Sequence, residues 1–173
     1  GQRMFELPPR RLDTAPIVAA LRRLAADPPL AYEARNPATG GYAWTLRDGV
    51  VEDDTNHCYG VAFVLLAYSC ALKAGIEEAR GWMEETWQLL ETRFYEPAHG
   101  LYRDEADAQW NFSGYRGQNA NMHMCEAMLA AFESSGEQRY LDRALQLADI
   151  MTRRQAASRC ALVSQSTTTP SSP

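Results

Sequence analysis

Apolar positions recur at helical intervals in five stretches of this chain. The first runs from Thr14 to Ala26, where Ile17, Leu21 and Leu24 form one stripe; Asp13 or Thr14 suits its N-cap and Pro16 its first turn. The second, Asn56 to Ala74, is apolar almost all round and stops at Gly75. A helix of that kind must be buried on most of its sides. The third, Glu77 to Phe94, is amphipathic, with Trp82, Trp87 and Leu90 inward. The fourth spans Gln118 to Ser134 and stops at Gly136. The fifth spans Gln138 to Arg154, with Leu141, Leu145 and Ala148 on one face. Strand signals are confined to "GGYAWTL" and "HGLYRDE", and a small hairpin is expected around Gly100 to Tyr102.

These stretches repeat. "NPATGGY" at Asn36 and "EPAHGLY" at Glu96 share Pro-Ala-x-Gly-x-Tyr and lie sixty residues apart. Gly75 and Gly136, each between an apolar helix and an amphipathic one, are sixty-one apart. The unit is an inner helix, a tight turn, an outer helix and a Gly-containing loop. Such a unit cannot bury its own apolar faces, so stacked neighbours must do it. The fold class expected is all-α, an (α/α)6 toroid of helical hairpins. Six hairpins of about 60 residues need roughly 360 residues, so this chain holds only about half of the barrel. Residues 1–155 are expected to form the partial toroid. A third loop should fall at Ala156 to Leu162, but "AASRCAL" lacks the motif and runs into "VSQSTTTPSSP". Residues 156–173 therefore read as a disordered Ser/Thr/Pro tail, non-native if a longer protein has been truncated or shifted in frame, natural if this is a small helical domain.

Composition narrows the function classes. The net charge of −5 gives no broad footprint for nucleic acid. Arg10-Arg11, Arg22-Arg23 and Arg153-Arg154 are short clusters that read as solvated helix faces. The longest apolar run, "VAFVLLAYSCAL", is too short for a bilayer, which takes ~20 residues, so no membrane partner is expected. Cys58, Cys70, Cys125 and Cys160 form no CxxC pair and read as free thiols, the buried ones on apolar stretches. A reducing cytoplasm is the expected location.

Chemistry concentrates in "RGQNANMH", Arg116 to His123. On a helix, Arg116, Asn119, His123 and Glu126 share one face, and Cys125, Met128 and Phe132 share another. A polar face with this composition lines a cavity, or else is a helix start capped by Asn119 or Asn121. In "EDDTNHCYGVAF", Asp53, Asp54 and Thr55 suit the cap of the second helix. Tyr59 sits early on that helix, and His57 reads as a solvent-side first-turn residue. His123 with Glu126 offers two metal ligands but no third, so no metal is expected.

"YRGQNANMHMCEAMLAAFE" and "CYGVAFVLLAYS" together resemble the N-acylglucosamine 2-epimerase superfamily, nearest its aldose–ketose isomerase branch of the D-mannose and sulfoquinovose isomerase type. The resemblance covers Gly41 to Gln155 well and Arg3-Met4 faintly. It implies an (α/α)6 barrel. It places the family's sugar-contacting arginine on Arg3, its tyrosine on Tyr59, its asparagine on Asn119 and its first pocket histidine, the catalytic candidate, on His123. It also places valine where the family usually has a histidine, at Val61, and asparagine where it often has a lysine, at Asn56. A histidine would be tolerated at Val61 if that position faced a polar cavity. The two histidines thought to exchange protons belong to later hairpins that find no counterpart here.

The implied activity is aldose–ketose isomerisation or 2-epimerisation through an enediolate. It needs a base near neutrality and donors for the developing oxyanion, but no cofactor. The expected partner is a monosaccharide. As a half site the chain is expected to be incomplete for catalysis, with exposed inner faces that drive self-association. Two other classes stay open. An (α/α)6 glycoside hydrolase would use a carboxylate pair such as Asp53-Asp54 or Asp104-Glu105. A non-catalytic helical-repeat binding module would leave His123 exposed and without a chemical role.

Overall fold

The computed structural model describes residues 35–36 and 39–154. The expected helix at Thr14 to Ala26, Arg3 and the 156–173 tail lie outside the described residues. The order is β1 (Thr45–Arg47), β2 (Val50–Asp53), β3 (Asn56–His57), α1 (Cys58–Lys73), α2 (Ala79–Leu89), β4 (Tyr95–Glu96), β5 (Leu101–Tyr102), β6 (Glu105–Ala106), α3 (Asn119–Ser135) and α4 (Gln138–Asp149). Each outer helix ends in a π-helical turn, Leu90–Phe94 after α2 and Ile150–Arg154 after α4. All helix pairs therefore recur at close to the sixty-residue interval of the sequence. The strands form three antiparallel pairs, β1 with β2, β3 with β6 and β4 with β5.

Two helical hairpins stack side by side. α1 packs chiefly on α3, with α2 against α1 and α4 against α3. The inner helices run parallel: Tyr59 meets His123 near their starts, and Lys73 binds Glu133 (2.5 Å) near their ends. Small residues permit the close approach. Ala62, Ala120, Ala127 and Ala131 are buried, and Leu65, Met124 and Met128 fill the space between them. The outer helices add Met83, Thr86, Leu90 and Phe94 from one hairpin and Tyr140, Ala144 and Leu147 from the other. The inward stripe of α4 is thus one position off the expected one. Leu145 is exposed, and the aromatic Tyr140 takes the inner place, edge-on to Trp87 at 5.2 Å. Arg143 locks the outer layer. Its guanidinium donates to Glu91 (2.8 Å) and to the Tyr102 hydroxyl (3.0 Å) and lies 3.6 Å over the Tyr95 ring.

The two Pro-Ala-x-Gly-x-Tyr loops are built alike. Gly40 N–H donates to Asn36 O (2.8 Å) and Gly100 N–H to Glu96 O (2.9 Å). Gly40 and Gly100 stand at φ of +72° and +68°, left-handed values that glycine adopts without strain. After each turn the tyrosine N–H is met by a buried asparagine at the start of an inner helix. Tyr42 N donates to Asn56 Oδ1 (3.0 Å), and Tyr102 N to Asn121 Oδ1 (2.8 Å). The amides also donate onward, Asn56 to Asp107 O (3.1 Å) and Asn121 to Tyr102 O (2.9 Å). Neither Asn119 nor Asn121 caps α3, whose N-cap is Gln118 with no side-chain cap bond. Asp53, Asp54 and Thr55 do not cap α1 either: β3 intervenes, and His57 is the N-cap residue.

Asn121→Ala should destabilise the chain by about 3 kcal/mol in urea unfolding. It strands both backbone polar groups of buried Tyr102, and each unmet group costs ~1–3 kcal/mol. Asn119→Ala, two positions earlier and exposed, should cost under ~0.5 kcal/mol.

Candidate functional site

The parallel inner helices bring their first turns together, and four rings gather there. Tyr59 stands edge-on to His123 with centroids 5.1 Å apart, Phe63 lies 5.1 Å from His123, and Tyr59 lies 5.0 Å from Phe63. Trp44, from the hairpin before α1, closes the group at 6.2 Å from Tyr59. The spacing explains the meeting. Tyr59 and Phe63 are four apart on α1, and Asn119 and His123 four apart on α3, so each pair shares a face. The structure therefore joins Tyr59 to His123, with exposed Asn119 one turn before the imidazole. Arg3 lies outside the described residues.

Arg116 is not on this helix face. α3 begins at Asn119, and the Arg116 guanidinium donates to the carbonyls of Ser113 (2.9 Å) and Tyr115 (2.8 Å). His123 and Glu126 do pair as spaced, with Nδ1 3.3 Å from Oε2. A carboxylate only accepts, so in the neutral imidazole Nδ1 carries the proton and Nε2 keeps its lone pair. Among the described residues no group of three or more His, Cys, Asp or Glu side chains could hold a metal ion.

Val61 lies two residues past Tyr59 and therefore on the far side of α1. It is buried in the hydrophobic core beside Leu65 and Met124, so it does not face a polar cavity. Asn56 is buried too and is committed to the loop clamp, which a lysine could not make. His57 is half-buried between Trp44, at 4.3 Å, and Glu105, not a solvent-side residue. Cys58 is buried, Cys125 half-buried and Cys70 exposed; all three are free.

Two clefts flank the helix starts. One, of about 490 Å³, is lined by Trp44, Asp53, Thr55, His57 and Glu105 among others. The other, of about 680 Å³, includes Glu96, His99, Asp104, Arg116 and Asn121. Asp104 joins the two inner helices. Its carbonyl accepts from Cys58 N (2.8 Å) and its carboxylate from Gly117 N (2.8 Å). Burial pushes its carboxyl above the ordinary 3.8, against the pull of the Gly117 N–H and Arg116.

The family model for N-acylglucosamine 2-epimerase matches residues 28–166. The chain belongs to the N-acylglucosamine 2-epimerase family. It is 55% identical over 120 residues to a D-mannose isomerase of Marinomonas mediterranea, covering 69% of this chain and 30% of the relative. A crystal structure of D-mannose isomerase superposes with a TM-score of 0.77 at 48% identity, covering 83% of this chain and 37% of that one. The cellobiose 2-epimerase of Bacillus thermoamylovorans B4167 shares the fold with a TM-score of 0.64 at 19% identity, covering 70% of this chain and 34% of that one. The chain thus spans about a third of the length of these proteins, less than the half expected from the repeat length. Its two hairpins are part of an (α/α)6 toroid.

Val61→His should cost ~2–3 kcal/mol of stability in chemical denaturation, because an imidazole there is buried without a partner. Asp104→Asn tests the second cleft. The folded chain holds the Asp104 proton more tightly than the unfolded chain, so stability falls as pH rises through and above the ordinary value of 3.8. The asparagine carbonyl still accepts from Gly117. The variant should therefore gain on the parent chain as thermal melts move from acid pH toward neutrality.

Proposed function

We propose that this wall holds an open-chain aldose for isomerisation to the ketose, or for epimerisation at C2, by proton transfer through an enediolate. The observation that carries the reading is His123 set between Tyr59 and Phe63 with Nδ1 committed to Glu126. That leaves Nε2 to take or return a proton beside the carbonyl. Asn119, Tyr59 and Arg3 would hold the sugar oxygens, and an amide or guanidinium would steady the enediolate. A D-mannose isomerase relative at 55% identity supports mannose and fructose as the sugar pair.

The hydrolase reading is weaker. Asp53 spends one oxygen on the Thr55 N–H and hydroxyl, and Asp104 one on the Gly117 N–H, so each candidate pair has a member engaged in holding the backbone. A repeat module with no chemistry gives no reason for the His123–Glu126 pair beside two aromatic rings. Residues 1–155 form the partial toroid in this reading, and 156–173 the tail. Phe63, Met122 and Leu129 are exposed on the inner helices, which favours self-association. Among the described residues no helix is long and apolar enough to cross a membrane. Free Cys58, Cys70 and Cys125 fit a reducing cytoplasm.

Mannose added to the 173-residue chain should shift the His123 imidazole resonances. His123→Ala should weaken that binding by about 10-fold, equal to 1.4 kcal/mol. Fructose formation by this chain should be slight. Each general acid–base group supplies ~10²–10⁴-fold, and the resemblance puts the two histidines that would complete the exchange in later hairpins, so His123 acts here without a second base. A monodisperse monomer with robust turnover, abolished by His123→Ala, would overturn that division of labour and the self-association together.

A further inference from the structure

Trp44 closes the ring of aromatics at the site but has no role in the proton transfer proposed there. The residue is 43% exposed and stands at the mouth of the 490 Å³ cleft. Its backbone is fixed in the hairpin by Trp44 N–H to Asp53 O (2.9 Å). Its ring lies over the first turn of α1. A Cβ at Gly60 would stand 3.4 Å from the indole, in van der Waals contact, so the ring packs directly on this turn. His57 supports the ring at 4.3 Å.

The polar rim is arranged with equal economy. The Thr55 hydroxyl donates to Asp53 Oδ1 (2.6 Å), so its oxygen accepts from His57 Nε2–H (3.0 Å). The proton is on Nε2, and Nδ1 turns to Glu105 Oε2 at 3.7 Å. In the neutral imidazole both of those atoms are acceptors, each able to take a hydroxyl donor. An apolar ring face beside two acceptors is complementary to a pyranose. One face of that ring offers C–H groups, and its edge offers adjacent hydroxyl donors.

We propose that the Trp44 cleft is a subsite for the closed pyranose ring, contiguous through Tyr59 with the His123 wall. The indole takes the C–H face, and His57 Nδ1 and Glu105 take neighbouring hydroxyls. The inference rests on the reading that the adjoining wall handles an aldose. It adds a binding place for the cyclic form, distinct from the open chain on which proton transfer acts.

Methyl α-D-mannopyranoside is the discriminating probe, because the glycoside cannot open. In ¹⁵N spectra of the 173-residue chain the four tryptophan indole N–H signals can be assigned with Trp44→Tyr. The glycoside should shift the Trp44 signal saturably and leave Trp82, Trp87 and Trp110 in place. Trp44→Ala should weaken its binding by about 10-fold or more, while Trp44→Tyr and Glu105→Gln should weaken it by about 3-fold, aromatic anchors carrying most of such energy. Backbone amide spectra report whether each variant is folded; should Trp44→Ala not fold, the glycoside titration of the parent chain and of Trp44→Tyr decides. A Trp44 signal unmoved by the glycoside overturns the subsite. If mannose still shifts His123 in that case, the proposed function stands without it; if mannose shifts neither, both fail.

Discussion

The fold of the described residues turns on a constraint its loops cannot meet alone. Each Pro-Ala-x-Gly-x-Tyr turn delivers a tyrosine N–H into the interior, where a polar group without a partner is costly. Asn56 and Asn121 supply the acceptor from the start of the inner helices. One carboxamide thereby fixes the hairpin loop and the helix start relative to each other. Asp104 does the same between the hairpins, with its carbonyl on Cys58 and its carboxylate on Gly117. The starts of both inner helices are consequently tied to the loops before them, and the candidate site is built on them.

Packing then selects which side chains meet. The alanines between α1 and α3 let the two backbones approach along their whole length. A parallel pair so close has little freedom in register. Tyr59 and Phe63 must face the first turns of α3, and Val61 must face away into the core. A residue two along from a pocket tyrosine is a core residue for geometric reasons alone. Resemblance to proteins with another residue at that position cannot change this without a compensating partner.

Periodicity made the helices and their sixty-residue recurrence legible, because apolar spacing survives any loop chemistry. It also placed Tyr59, Asn119 and His123 correctly with respect to their own helices. What it missed depends on partners from elsewhere in the chain. A buried asparagine such as Asn121 looks like a cap in sequence, since caps and loop clamps use the same amide. Arg116 sits in phase with the helical face, yet Ser113 and Tyr115 hold it in the preceding loop. On α4, Leu141 and Leu145 outweigh Tyr140 and Ala144 in hydropathy. The tyrosine still wins the interior, because its ring meets Trp87 and alanine fits the narrow gap to α3. Trp44 escaped notice because a hairpin gives a lone aromatic no periodic context. Only its contact with Gly60 and His57 shows what it backs onto.

The two half-buried histidines show how such a scaffold differentiates like groups. His123 gives its Nδ1 proton to Glu126, one helical turn away, so its Nε2 is left basic. His57 gives its Nε2 proton to Thr55, itself committed to Asp53, so its Nδ1 is the free acceptor. Trp44 and Tyr59 stand between them, Trp44 in contact with His57, Tyr59 with His123, and the two rings 6.2 Å apart. The two tautomers are therefore set by local chain geometry, an i,i+3 pair on a helix in one case and an alternating strand in the other. A sugar spanning the aromatic run would meet an acceptor at each end. At His123 the carboxylate of Glu126 is taken by the Nδ1 proton, and exposed Asn119 stands one helical turn before the ring, an amide able to steady developing negative charge. At His57 the carboxylate of Glu105 lies on the side of the acceptor nitrogen, an arrangement suited to binding hydroxyl donors instead. The same side chain thus serves chemistry at one end and recognition at the other, and the difference comes from its neighbours.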